Sequence, residues 1–215
     1  MNFDLRPIHT RDVAALVAKY HGYATMGVTS VYAWGVFEKG CLVAAYSWLP
    51  PGVGAATSVC PGVPGSVLSL SRMVAVPRLE RQLQHISKPL RYQMKHLIDR
   101  HRWPVLITYS DEGQGHDGNV YKCSGWQKTL RSYRPVHVDD KGLRACAYSA
   151  SKRESRGLVL QGHTTIQRWE HWACPPDDVP SYMEAGGWVR VPIPGKTWRS
   201  GNQAYRWSLL SLQGA

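Results

Sequence analysis

The chain has 215 residues, with 26 Lys and Arg against 15 Asp and Glu and a formal net charge of +11. That length buries a sizeable core and suits one α/β domain with a small annex. No apolar run reaches the ~18 residues of a membrane span. The charged start MNFDLRPIHTRD lacks the apolar stretch of a signal peptide, and five cysteines without a CxxC pair suggest reduced thiols in a cytosolic protein.

In chain order, residues 8–21 (IHTRDVAALVAKYH) set Val13, Leu16 and Val17 behind the cap candidate Thr10, which predicts a first helix. VYAWGVFE (31–38) and CLVAAYSWL (41–49) flank Lys39-Gly40 and predict a tight hairpin. The segment Pro50 to Gly54 predicts a loop. SVLSLSRMVAVP (66–77) predicts a strand closed by proline. After the connector RLERQLQHIS, Leu90, Met94, Leu97 and Ile98 share one face of a helix over 89–101 with Pro89 in its first turn. VLITYS (105–110) completes a βαβ unit, for which a parallel pair with a helical crossover is expected. LRSYRPVHV (130–138) predicts a further strand broken by Pro135. Beyond residue 150 the pattern weakens into short β-like pieces rich in Gly, Pro and aromatics, so a main domain over 1–150 and an annex over 151–215 that completes the fold and contacts DNA are expected.

The positive charge is clustered and accompanied by nine Trp and eleven Tyr. Aromatics beside Lys and Arg are the ingredients of a nucleic-acid surface. Trp34, Tyr46 and Trp48 on the hairpin are candidates to stack a flipped base, or are packing residues. Lys152, Arg153, Arg156 and Arg168 are candidates to hold a phosphate backbone.

The stretch ITYSDEGQGHDGNVYKCSGW (107–126) carries the densest chemistry. Strand C-termini in α/β sheets are where polar groups converge on ligands. Asp111 there is either a general base or the cap of a turn. His116 with Asp111 or Asp117 is too loosely spaced for a metal to be assigned. Tyr121 is a candidate acid or a core aromatic, and Ser124 lies beside it. The whole stretch is expected to line one cleft. At the start of the 89–101 helix, His85, Ser87, Lys88 and Arg91, with Arg72 on the preceding strand, are candidates to hold an anionic cofactor at a helix N-terminus. Ser87 as an N-cap beside a solvated face is the alternative.

The order helix, hairpin, strand, connector, helix, strand and then Tyr121-x-x-x-Gly125-Trp126 resembles the GNAT acyltransferase superfamily. The resemblance implies a mixed central sheet flanked by helices, with the small basic Trp- and Tyr-rich annex added. It also implies acyl-CoA pyrophosphate at the helix following the central strand, and a tyrosine acid. HISKPL departs from the superfamily's glycine-rich connector. More specifically, MGVTSVYAWGVFE, LSLSRMVAVPRLERQLQHISKPLRYQMKHLIDR and WPVLITYSDEGQGHDGNVYKCSGW look like the Mom family of DNA-modification proteins from Mu-like bacteriophages.

That resemblance implies an enzyme converting adenine in double-stranded DNA to N6-(carbamoylmethyl)adenine in the host cytoplasm, as protection from restriction. Asp111 would be the base, with Tyr121, Ser124 and His116 near it. The donor is an activated glycyl ester, such as glycyl-tRNA, or else an acyl-CoA, so tRNA is a further partner. Assembly is left open, with a dimer as one option. The alternatives are an acyl-CoA-dependent N-acetyltransferase on a small amine or protein, and a non-catalytic DNA-binding protein.

Overall fold

The computed structural model describes residues 3–21, 28–83, 85–140, 142, 144–145, 150–197 and 203–209. The elements are β1 (Asp4–Pro7), α1 (Thr10–Tyr20), β2 (Tyr32–Glu38), β3 (Cys41–Leu49), α2 (Val53–Val59), β4 (Val67–Ala75), α3 (Ser87–Asp99) and β5 (Val105–Asp111). They continue as α4 (Asn119–Cys123), β6 (Gln127–Val138), β7 (Arg144–Ala145), α5 (Ala150–Ser155), β8 (Val159–Trp172), α6 (Val179–Ala185), β9 (Trp188–Thr197) and β10 (Gln203–Leu209). The fold is mixed α/β.

The chain divides into two compact units. One comprises Met1–Leu49, Ser69–Tyr92 and Ile107–His171, the other Pro50–Leu68, Gln93–Leu106 and Trp172–Ala215. The eight-stranded sheet has the order β1-β2-β3-β4-β5-β8-β6-β7. The hairpin β2–β3 turns on Lys39 and Gly40, both left-handed at φ 48° and 82°, the twist a two-residue turn needs. β4 and β5 are sheet neighbours joined through α3, and Leu90, Met94 and Leu97 are buried as their helical spacing requires.

Helix α1 packs Val13 and Val17 on Ala33, Ala45 and Val74, which defines one face of the sheet. On the other face Tyr46 donates from its hydroxyl to Ile86 O at 2.9 Å, just before α3. The helix α1 begins at Thr10 with His9 as its N-cap, and the Thr10 hydroxyl bonds Ser30 instead.

Three features depart from expectation. β1 adds an edge strand to β2, and residues 53–59 are helical. Most consequential, β8 inserts between β5 and β6, a place in the sheet order that the weak pattern beyond residue 150 does not predict. β6 also runs through Pro135, and among the described residues β7 pairs with His137 and Val138.

In the second unit, β9 and β10 form an antiparallel pair. The Trp103 and Trp188 rings meet edge-on at 5.0 Å. Arg102 covers the Tyr182 ring, whose hydroxyl donates to Ile98 O at 3.0 Å. Among the described residues no helix is long and apolar enough to cross a membrane.

Candidate active site

Strand β5 sends alternate side chains to opposite faces. Thr108 and Ser110 point to the α4 side: the Tyr121 hydroxyl hydrogen-bonds Thr108, and Trp169 Nε1 donates to Ser110 Oγ at 2.9 Å. Asp111 points to the other face. The expectation that the 107–126 stretch lines a single cleft is therefore corrected. Asp111 and Tyr121 work from opposite sides of the sheet, because an odd spacing from Thr108 inverts a strand side chain.

On its face Asp111 is 7% exposed and accepts from three donors. Arg144 Nη1 approaches Oδ2 at 2.7 Å, Gly113 N donates to Oδ1 at 3.0 Å, and the Thr164 hydroxyl also donates to Oδ1. Asp111 thus caps the single turn Glu112–Gln114 and anchors an arginine brought by β7. Glu112 pairs with Arg131 at 2.8 Å.

The loop returns His116, whose backbone N donates to Asp111 O at 3.2 Å. The His116 ring meets His21 edge-on at 6.4 Å. His21 ends α1, and burial lowers its pKa to about 4, with the nearby charges of Arg72 and His116 adding to the effect. It is a neutral imidazole at neutral pH. Arg72 shares the sheet face of Val74, two residues on, on the α1 side. It does not join His85, Ser87, Lys88 and Arg91 as a cofactor set, because strand alternation turns it away from α3.

On the α4 face Tyr121 is 7% exposed, and burial raises its pKa, so it is a protonated phenol. Its position follows from a Schellman cap. Trp126 N donates to Tyr121 O at 3.1 Å and Gly125 N to Lys122 O at 3.2 Å, with Gly125 at φ +88°. The Tyr121 and Trp126 rings pack at 6.0 Å, the hydrophobic contact that accompanies such a cap. The spacing Tyr-x-x-x-Gly-Trp is thus a helix stop that fixes a phenol. Ser124 is 2% exposed, and its hydroxyl donates to Val120 O and Ser87 O at 2.7 and 3.1 Å. With Arg91 Nη2 on Cys123 O at 2.5 Å, it fastens α4 to the first turns of α3. Ser87 is the first helical residue, and His85, Lys88 and Arg91 are exposed around it.

The nucleic-acid candidates separate sharply. Tyr46 and Trp48 are 0% exposed, and Trp48 stacks on Trp126 at 6.3 Å. They are core residues, so base stacking by either is corrected. Trp34 is half-buried. Arg168 is held by Glu170 at 2.8 Å and Thr129 Oγ1 at 3.3 Å with 9% exposure, so its assignment to the phosphate backbone is corrected too. Arg156 is exposed in the turn after α5 and Arg153 half-buried on α5, while the Lys152 side chain lies outside the described residues. Sequence reasoning missed His21, Arg144 and Thr164, which contact the Asp111 loop from distant segments. Among the described residues no group of three or more His, Cys, Asp or Glu is arranged for a metal.

The profile of the Mom protein family matches residues 2–172. No curated protein matches the sequence significantly. Among solved structures, an N-acetyltransferase from Staphylococcus aureus Mu50 aligns with TM-score 0.51 at 9% identity, covering 81% of this chain and 100% of that one. A polyamine N-acetyltransferase from Drosophila melanogaster, described as forming N-acetylagmatine, aligns with TM-score 0.50 at 11% identity, covering 79% and 99%. At these identities the likeness is one of fold.

Proposed function

The chain belongs to the Mom protein family, and from that membership we propose that it is a transferase converting adenine in DNA to N6-(carbamoylmethyl)adenine, protecting phage DNA from host restriction. The observation that supports this best is the β5–α4 segment, in which a helix cap fixes a buried, protonated phenol at Tyr121. An acyl transfer needs an acid for its leaving group.

Adenine N6 is a poor nucleophile because its lone pair is delocalised into the ring, and the duplex hides it, so the base is flipped out. The donor is an activated glycyl ester such as glycyl-tRNA. N6 attacks the ester carbonyl carbon, a C–N bond forms and the C–O bond breaks. The departing oxygen takes the Tyr121 proton, and the N6 proton is released to water; Asp111, on the other face of the sheet, holds the loop rather than taking that proton. The product, N6-glycyl adenine, is an isomer of the final base. Attack of its free amine on adenine C6, with cleavage of the original C6–N6 bond, gives the carbamoylmethyl group. HISKPL contains no glycine to let a pyrophosphate approach the backbone, which favours an ester over acyl-CoA.

The test incubates purified protein with duplex DNA and glycyl-tRNA, followed by mass spectrometry of the nucleosides. Modified adenine supports the proposal, and product formed only with an acyl-CoA overturns the donor. No modified adenine with either donor, nor in DNA from cells expressing the protein, overturns the function. Asp111→Asn, which leaves the acid in place, is expected to lower modification less than Tyr121→Phe does, with duplex binding kept.

A further inference from the structure

A cavity of about 460 Å³ opens beside α4, lined by Asp117, Asn119, Lys122, Trp126, Lys128 and Trp169. The chemistry above leaves it unused, and its lining is selective. Lys122 and Lys128 are exposed, and neither takes part in an ion pair among the described residues. The Lys128 ammonium lies 5.4 Å from the Trp169 ring centroid, a cation beside an apolar wall. Trp126 is only 4% exposed, yet its indole N–H is buried with no acceptor. Buried indole N–H groups normally find one, so a ligand carrying an acceptor answers a need the protein leaves open.

The remaining groups narrow the ligand. Asp117 Oδ1 accepts from Asn119 N at 2.9 Å, which leaves its second oxygen for a hydroxyl or N–H donor. Asn119 Oδ1 receives the weak Cys123 thiol at 3.7 Å, leaving its amide to donate. The wall is tightly built: a Cβ on Gly118 would lie 2.2 Å from Trp169, so only glycine lets the loop lie flush on that indole. Two cations, indole walls, a free carboxylate oxygen and room for a small molecule suit a ligand with phosphate, a planar ring and hydroxyls. A bare phosphate would leave the indole walls unused, and an apolar ligand would leave two ammonium groups facing nothing.

The cavity also adjoins the proposed acid, because Trp126 and Trp169 pack on the Tyr121 ring at 6.0 and 5.8 Å. Resting on the transferase reading above, we infer that this cavity holds the terminal adenosine nucleotide of the activated donor. A coenzyme A thioester and an aminoacyl ester of RNA both carry that chemistry, and binding experiments distinguish them.

Isothermal titration of the full chain with coenzyme A, and with the RNA trinucleotide CCA, tests the inference. Saturable binding of either is expected, the tighter one naming the carrier. Lys122→Glu and Lys128→Glu, both at exposed positions, should each weaken it by about tenfold or more through a lost charge-assisted contact. Trp126→Phe removes the N–H together with part of the indole wall and should weaken it several-fold. Absence of saturable binding, equal affinity in the lysine variants, or stronger competition by duplex DNA than by either probe overturns the inference. Modified adenine persisting without nucleotide binding overturns the cavity assignment alone. Nucleotide binding without modified adenine from any donor overturns the function alone.

Discussion

Three donors converge on Asp111, and two of them come from distant segments, Arg144 on β7 and Thr164 on β8. Removing the carboxylate strands a mostly buried guanidinium, so Asp111→Ala should cost roughly 3 kcal/mol in urea unfolding. Asp111→Asn, which keeps an acceptor for Gly113 and Thr164, should cost less, and the difference isolates the ion pair with Arg144. Tyr121→Phe loses one hydrogen bond to Thr108 and should cost only about 1 kcal/mol. As the leaving-group acid, however, its loss should slow modification by about a hundredfold or more, read by nucleoside mass spectrometry. His21 adds a pH dependence. Its folded pKa of about 4 lies below the ordinary 6.5, so the unfolded chain binds the extra proton between those values. Its contribution is complete above pH 6.5 and falls as pH drops toward 4. Melting temperatures across that window should fall less steeply for His21→Asn than for the parent protein.

At the scale of elements, the short helix α4 is defined by how it stops. Its Schellman cap needs a left-handed residue at Gly125, and a Cβ there carries a penalty of about 1–2 kcal/mol. Gly125→Ala should lower stability by that amount, and Gly125→Asn by less, since asparagine tolerates this conformation. Thermal unfolding of the two variants checks the order. Strand β5 then divides the labour: its alternation turns Asp111 away from the face where Tyr121 meets Thr108. The Tyr-x-x-x-Gly-Trp spacing was legible only as a family resemblance; its role as a helix stop emerged from the backbone hydrogen bonds. The sidedness of Asp111 was not, because alternation says that neighbours oppose but not which helices cover which face.

For the whole molecule, the +11 charge predicts duplex binding that weakens steeply with salt, as counterions displaced from the phosphates are lost as a driving force. Arg168 is internally paired, so Arg168→Ala should leave the salt slope unchanged while lowering stability. Arg156→Ala, at an exposed position in the turn after α5, should reduce the slope by about one. Fluorescence anisotropy across a salt series measures both. The insertion of β8 between β5 and β6 makes the two variants differ, because it draws residues beyond 150 into the sheet.

The sequence by itself determined the α/β class, the β2–β3 hairpin and the β4–α3–β5 succession, since each rests on periodicity or turn chemistry within a few residues. Its quoted stretches also carried the family resemblance that the profile bears out. Only the tertiary structure decided that β8 completes the sheet, that Arg144 and Thr164 hold Asp111, that Tyr46 and Trp48 belong to the core, and that acid and carboxylate face opposite ways. Those outcomes depend on pairings between residues 33 to 53 positions apart and on which face each helix covers, and no local pattern encodes either.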